Sequence, residues 1–430
     1  MRATKIVLVG AASASFGPKM IADAVLAPGL RGSTLALVDI DAQRLEVMAA
    51  YAQRLNVACD AGLNITHTTE RAQALPEAEF VIISVAVRRD ELWQLDFELP
   101  LRHGIKQVLG ENGGPGGLSH TLRNVPIILD IARDVERLAP NALVMNFSNP
   151  ESRIGLALSR YTGLRFVGLC HGIGMAYESI GRMTGIHPDD LTATAAGLNH
   201  FCWVLDVRRK STGEDVYPLL RQADAHYDPG YYSLTRWLMR QYGLYPHPSD
   251  DHIGEYLAYA HTFCGLEGYD FSAADRRRVE RWAQIMRIAE GQDPAPTPEG
   301  TPALAPSGEF AFPIIASTLE NRHQRIEAVN ILNGGLIANL PAWAVVEVPA
   351  VAAADGVRGI QVGPLPDGIA ALLTTQAHVQ HLAVEAAVHG SRSLALQALL
   401  ADPVVTDADA AERTLDALLK VHAAYLPQFS

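Results

Sequence analysis

Cysteine is scarce in this chain. Cys59, Cys170, Cys202 and Cys264 are the only four in 430 residues and no two form a CxxC pair, which argues against a disulfide framework or a zinc ribbon. Positive charge is also in deficit, with 35 basic against 47 acidic side chains and a net charge of -12. Such a chain has no broad basic surface for nucleic acid or an anionic membrane. No apolar run approaches the roughly 20 residues that span a bilayer, and Met1 to Lys5 leads into an apolar strand without a signal-peptide pattern. A cytoplasmic protein is the expectation. Internal repeats and low-complexity tails are missing too. The 48% hydrophobic content supports a large core, and the length favours two domains. The partners left are small molecules and other protein chains.

The amino terminus carries a nucleotide-binding pattern. Lys5 to Gly10 is a continuous apolar run, followed by the small residues Ala11, Ala12, Ser13, Ala14 and Ser15, then Phe16, Gly17 and a helical pattern over Met20 to Leu26. Small residues at a strand-to-helix turn let the backbone approach a pyrophosphate, whose charge meets free N–H groups at the helix start. Ala12 stands where the usual fingerprint has glycine. The next apolar run ends at Asp39, from which a carboxylate holds the ribose hydroxyls of NAD and repels a 2′-phosphate. Asp39 and Asp41 also read as amino-terminal caps for a helix over Ala42 to Tyr51. The cofactor-binding set is Gly10, Ala11, Ala12, Ser13, Phe16 and Asp39.

Apolar strands over Phe80 to Val87, Ala142 to Phe147 and Arg165 to Leu169 alternate with helical segments over Leu118 to Leu138 and Glu151 to Tyr161. This alternation predicts an α/β fold with a doubly wound parallel sheet, whose ligands gather at the carboxyl ends of the strands. Arg88-Arg89, Asn149-Pro150 and Cys170-His171 all follow such strands. Downstream, Leu191 to Arg209 reads as one or two strands, with helices near Tyr231 to Tyr242 and Ala273 to Glu290, an exposed loop over Gln292 to Ser307, an extended segment over Ile326 to Val348 and helices from Asp367. The expected division is a Rossmann domain over 1–192 and a mixed α+β catalytic and oligomerisation domain over 193–430.

Cys170-His171-Gly172 and Asn199-His200 place a thiol and an imidazole thirty residues apart in the chain, and a thiolate with a neutral imidazole is a donor set that holds a divalent metal while leaving positions open for substrate. With Gly10 to Phe16, Asp39-Ile40-Asp41, Gly110-Glu111-Asn112-Gly113-Gly114-Pro115-Gly116-Gly117, Asn149-Pro150, Gly197 to His200, and Asn330 to Pro349, these motifs run in order through most of the chain. The chain thereby resembles glycoside hydrolase family 4, the NAD- and metal-dependent glycosidases, whose fold is similar to that of lactate and malate dehydrogenases.

The resemblance implies a glycosidase that oxidises C3 of the sugar with NAD, removes the C2 proton, eliminates the C1 leaving group, adds water and returns the hydride. It departs from the two-carboxylate scheme of most glycosidases. Cys170 and His200 are the implied ligands of a divalent metal, Mn2+ in the family. Asn149 is implied to bond substrate hydroxyls, and Glu111 to touch sugar or metal-bound water. His171 stands where phosphosugar-cleaving relatives carry aspartate or asparagine, which points to unphosphorylated α-glycosides, and it is implied to protonate the leaving oxygen. The C2 base is sought in the segment Tyr245 to Tyr256, with Asp251 and Tyr256 favoured and Asp250, His252 and Glu255 also open. Arg88-Arg89 replaces the family's Gly-Gly pair, so an α-galacturonide ranks beside α-galactosides and α-glucosides. A homodimer or homotetramer is expected. The alternatives are a 2-hydroxy-acid dehydrogenase of the lactate/malate type and a non-catalytic NAD-responsive binding protein.

Overall fold

The computed structural model describes residues 2–301 and 303–429. Its twelve strands are β1 Lys5–Val9, β2 Thr34–Val38, β3 Asn64–Thr68, β4 Phe80–Ile83, β5 Leu143–Asn146, β6 Arg165–Gly168, β7 Leu191–Leu198, β8 Phe201–Arg209, β9 Tyr245–His247, β10 Gln324–Leu332, β11 Val345–Ala353 and β12 Gly356–Gly359. All belong to one sheet. Its order is β3-β2-β1-β4-β5-β6-β10-β11-β7-β8-β9, with β12 on β11. The first six strands are parallel and the rest antiparallel. The parallel part is the mononucleotide-binding arrangement in which ligands sit beyond the strand carboxyl ends.

The apolar runs became strands because they are short, rich in Val, Ile and Leu, and buried on both faces. Val7, Val9, Val81, Ile83 and Val144 pack on one face, while Ile6, Leu8, Leu35, Leu37 and Ile82 pack on the other. The first of these cores takes in Ala383, Val384, Ala387, Leu399 and Leu415. The carboxy-terminal helices Asp367–His389, Arg392–Ala401 and Ala408–Val421 therefore close over the amino-terminal half of the sheet.

Local expectations mostly meet matching elements. The helix Glu151–Tyr161 has the expected bounds, Leu191 to Arg209 is the β7–β8 hairpin, and Asp41 caps the helix Ala42–Ala58 through the Arg44 N–H. Among the described residues of 292–307 there is neither helix nor strand. Ser307, however, is pinned to buried Asp23 through its backbone N–H at 2.7 Å and its hydroxyl, so this end of the loop is tied to the helix Gly17–Leu26. None of the described helices is long and apolar enough to cross a membrane.

One row of the sheet sets where the chemistry sits. Thr68, Val38, Val9, Ile83, Asn146, Gly168, Asn330, Glu347, Gly197, Cys202 and His247 are successive partners across eleven strands. It marks the last residues of β1, β2, β4, β5 and β6 and continues into the antiparallel part. Directly opposed residues share a face. The row thus passes from valine and isoleucine to a buried series of Asn146, Asn330, Glu347, Cys202 and His247.

The carboxy-terminal segment is locked to the first half by a buried ion group. Asp96 receives both Arg123 Nη groups, at 2.9 Å and 2.5 Å, and lies 2.7 Å from His422 Nε2. Burial alone would raise the Asp96 pKa, but Arg123 and His422 hold it below the usual range. Replacing Arg123 by Met strands this charge, so R123M is expected to lose about 3–5 kcal/mol, read as a lowered urea midpoint. A loss under about 1 kcal/mol would mean that the pair behaves like a surface ion pair.

Candidate active site

The amino-terminal turn is built for close backbone approach. Gly10 has φ +89, and a Cβ there would lie 2.0 Å from the Ser84 carbonyl oxygen. Only glycine fits. Ala11 and Ala12 are buried, Ser13 Oγ accepts the Phe16 N–H at 3.2 Å, and the Phe16 ring packs on Phe147 with centroids 4.6 Å apart. Asp39 Oδ2 accepts the Ala12 N–H at 2.9 Å, so the carboxylate at the end of β2 is tied to the turn after β1. The next residue, Ile40, is 90% exposed, an apolar surface beside that carboxylate.

The second group of residues comes from both halves of the chain. Glu255 Oε2 accepts the N–H groups of Glu111, Asn112 and Gly113 at 2.7, 2.5 and 2.8 Å. This fixes the glycine-rich loop and brings Glu111 and Asn112 against His200. The Asn112 amide lies 3.0 Å from His200 Nδ1 and Glu255 Oε1 3.8 Å from it. His200 itself sits in the turn between β7 and β8 with φ +63, a left-handed conformation that a non-glycine residue adopts only when its surroundings impose it. Its ring meets that of His252 at 4.4 Å. Glu111, His200 and His252 each present a donor atom, all within 4.8 Å of one another.

Electrostatics separate these groups. Burial would raise the Glu111 pKa, yet Arg89 and the neighbouring histidines lower it to about 2. The Arg89 guanidinium lies 2.5 Å from Glu111 and 3.2 Å from Asp90 and stacks on Trp93 at 4.6 Å. Burial lowers the His200 pKa, helped by charge on His252. Burial would lower His252 as well, but Asp251 at 2.8 Å overcomes it and raises the value. Burial, with Glu347 next, pushes the Cys170 thiol up, while a hydrogen bond with Asn199 opposes it. Cys170 thus adjoins the residue before His200.

Several expected site residues have other work. Arg88, φ +43, pairs with Glu91 and donates to Tyr425 at 3.1 Å, which links it to the carboxy-terminal segment. Tyr256 is buried against Phe201, donates to the Asn199 carbonyl at 3.1 Å, and has its pKa raised by burial, all of which disfavour it as a base. Asp250 accepts the Leu234 and Thr235 N–H groups at 3.0 and 2.8 Å and so caps the helix Ser233–Tyr242. Glu255 is the loop anchor. Asp251 accepts from the Ser249 hydroxyl and the His252 N–H and pairs with His252 Nδ1. The carbonyl of Asn149 is held by Asn124 at 2.6 Å.

Reading the sequence alone missed Glu309. This buried carboxylate lies 3.2 Å from Nδ1 of the exposed His171, and directs the imidazole's other nitrogen away from it. No local pattern marks Glu309, because it reaches His171 from the far end of the 292–307 loop.

If Glu255 organises the loop, Glu255→Ala leaves three buried N–H groups without an acceptor, at roughly 1–3 kcal/mol each. The amides of 111–113 should then exchange hydrogen markedly faster than in the native protein, measured by mass spectrometry at constant temperature. Unchanged exchange at these three amides would show that the loop is held by something else.

Known proteins match this chain over nearly its whole length. Residues 5–186 match the family model described as family 4 glycosyl hydrolase, and residues 195–405 match the model of that family's C-terminal domain. An α-glucosidase of Erwinia rhapontici is 35% identical over 97% of both chains, and an α-galactosidase of Bacillus subtilis is 30% identical over 99% of both. An α-galacturonidase of Bacillus subtilis is 29% identical over 97% of both. Among solved structures, a 6-phospho-α-glucosidase from gut microorganisms, in complex with NAD and Mn2+, superposes with a TM-score of 0.86 at 22% identity, covering 99% of this chain and all of that one. Malate dehydrogenase of Plasmodium falciparum superposes at 0.52 with 15% identity, covering 91% of this chain and 99% of that one, a likeness of fold. This chain is a member of glycosyl hydrolase family 4.

Proposed function

We propose that the protein hydrolyses unphosphorylated α-glycosides, neutral α-glucosides or α-galactosides, using NAD and a divalent metal such as Mn2+. The observation that carries this reading is the meeting, at one end of the sheet, of a nucleotide-type turn with Glu111, His200, His252 and Cys170. An ordinary hydrolase needs no such turn, and a dehydrogenase of the lactate/malate type needs no thiol beside a histidine.

The residues present fit both groups. For the metal, His200 is joined by Glu111 and His252 in a cluster of donors and by Cys170 through Asn199; Cys170 and His200 are the ligands, with Glu111 the further donor on the His200 side. For NAD, the Gly10 to Phe16 turn takes the pyrophosphate, Asp39 the ribose hydroxyls and Ile40 an adenine face. When bound, NAD would supply reversible hydride transfer at the sugar and the metal Lewis-acid polarisation of its hydroxyl oxygens.

The chain's own groups do the rest. His252, partnered by Asp251, takes the C2 proton, as a histidine backed by a carboxylate does in general base catalysis. His171, held at Nδ1 by Glu309, gives a proton to the departing C1 oxygen. Asn149 bonds sugar hydroxyls. A uronic acid is disfavoured because Arg89 is already matched by Glu111 and Asp90, the latter shared with Arg278, which leaves no unpaired guanidinium for a third carboxylate. The 35% identity to an α-glucosidase over nearly the whole chain supports an α-glycoside as substrate; an α-galactosidase and an α-galacturonidase follow at 30% and 29%.

Two measurements test this. With NAD+, Mn2+ and a thiol reductant, kcat/KM on neutral α-linked p-nitrophenyl glycosides should exceed that on the matching uronide and 6-phosphate by about tenfold, the ratio given by ~1.4 kcal/mol. A uronide cleaved better than either neutral sugar contradicts the reading of Arg89. Cys170→Ser and His200→Ala should abolish turnover and Mn2+ binding while NAD+ binding persists. His252→Gln should abolish turnover with Mn2+ retained; loss of Mn2+ there makes His252 a ligand instead of the base.

A further inference from the structure

Next to the site already described, three other donors converge. His247, Cys202, Gly197, Glu347 and Asn330 are consecutive partners on β9, β8, β7, β11 and β10, so their side chains share one face. Gly197 contributes none. Across the gap it leaves, the thiol of Cys202, a ring nitrogen of His247 and a carboxylate oxygen of Glu347 all lie within 4.8 Å of one another, and none of the three residues is more than 2% exposed.

The hydrogen bonding around this trio is unequal. Glu347 Oε2 is oriented by the amides of Asn199 at 3.0 Å and Asn330 at 3.4 Å. One ring nitrogen of His247 faces the Gly172 backbone, and neither makes a hydrogen bond of full geometry. An imidazole offers a donor and an acceptor, and burying either without a partner costs about 1–3 kcal/mol. A buried histidine without a hydrogen bond of full geometry, beside a thiol and a carboxylate already oriented by second partners, is what a metal ligand set presents.

We propose that Cys202, His247 and Glu347 form a second, buried divalent-metal site, distinct in all its ligands from the one at Cys170 and His200. One sulfur, one nitrogen and one oxygen donor match Zn2+ better than Mn2+, which favours oxygen-rich sets. Binding releases the Cys202 thiol proton to solvent. The thiolate and carboxylate then balance the dication, so the buried complex has no net charge. The ion ties the three-residue strand β9 to β8 and β11, and β9 leads directly into the segment carrying Asp251, His252 and Glu255. The site is a staple for that segment.

Cobalt substitution tests the assignment on the whole enzyme. Wild type, Cys170→Ser, Cys202→Ser, the Cys170→Ser/Cys202→Ser double variant and His247→Gln are each stripped with chelator under reducing conditions, loaded with Co2+ and read by absorption, with Zn2+ content of untreated samples measured by mass spectrometry. Wild type and Cys170→Ser should show a thiolate-to-cobalt charge-transfer band and retain zinc; the Cys170→Ser/Cys202→Ser double variant should lose the band, and His247→Gln the zinc. A band that survives Cys202→Ser but disappears with Cys170→Ser overturns the proposal. Should Cys202→Ser fail to fold, Cys170→Ser alone decides: a sample with neither band nor zinc leaves Cys202, His247 and Glu347 a hydrogen-bonded trio without metal.

Discussion

One carboxylate oxygen joins the two halves of the site. Glu255 Oε2 accepts three successive backbone N–H groups of the loop 111–113, and charge-assisted bonds of this kind are worth about 1.5–3 kcal/mol each. The loop opens the helix Gly114–Leu138 on the amino-terminal side, whereas Glu255 lies in the segment after β9. Without this grip Glu111 and Asn112 would not face His200. The other carboxylate oxygen of Glu255 lies 3.8 Å from His200 Nδ1, so the same side chain supports the histidine directly.

Around that anchor the site is arranged by the sheet. The row ending β1, β2, β4, β5 and β6 continues unbroken into β10, β11, β7, β8 and β9, and it turns from apolar to polar at Asn146 on β5, within the parallel part. Gly168 and Gly197 leave gaps in it. Over Gly168 a Cβ would lie 1.4 Å from Glu151 Oε1, so the buried Glu151 side chain fills the first gap, and burial raises its pKa well above the usual carboxylate range. Glu347 borders the second gap. The polar side chains on this row form a floor beneath Cys170 and Asn199, rigid because neighbouring strands and helices fix it from both sides.

How much of this was legible depended on whether the signal was local. The turn after β1, the acidic end of β2 and the helix after Asn149-Pro150 are written in adjacent residues, and the structure places them where the pattern predicts. Cys170 and His200 stood out because a thiol and an imidazole in turn motifs are unusual side chains. Other contacts depend on nonlocal information. Arg88 and Arg89 both follow a strand, but only the fold shows that Arg88 finds Glu91 and Tyr425 while Arg89 finds Glu111. Tyr256, favoured with Asp251 as a base, sits in one short polar segment with Asp250 and Glu255, which were also open; packing gives each of the three a structural partner. Glu309 reaches His171 only through a loop anchored at Asp23. The continuity of the sheet across its parallel and antiparallel parts likewise rests on β10 and β11 inserting between β6 and β7, which no window of sequence reveals.

The proposed reaction requires removal of the C2 proton of the sugar, the step assigned above to His252 with Asp251 as its partner. Hydrolysis of a neutral α-glucoside or α-galactoside in D2O, followed by proton NMR of the released sugar, tests this directly. A base that exchanges with solvent predicts deuterium at C2 in the product formed with NAD+ and Mn2+ present. A product carrying its original hydrogen at C2, formed at an undiminished rate, would mean that the glycosidic bond is broken by direct displacement and would contradict the account.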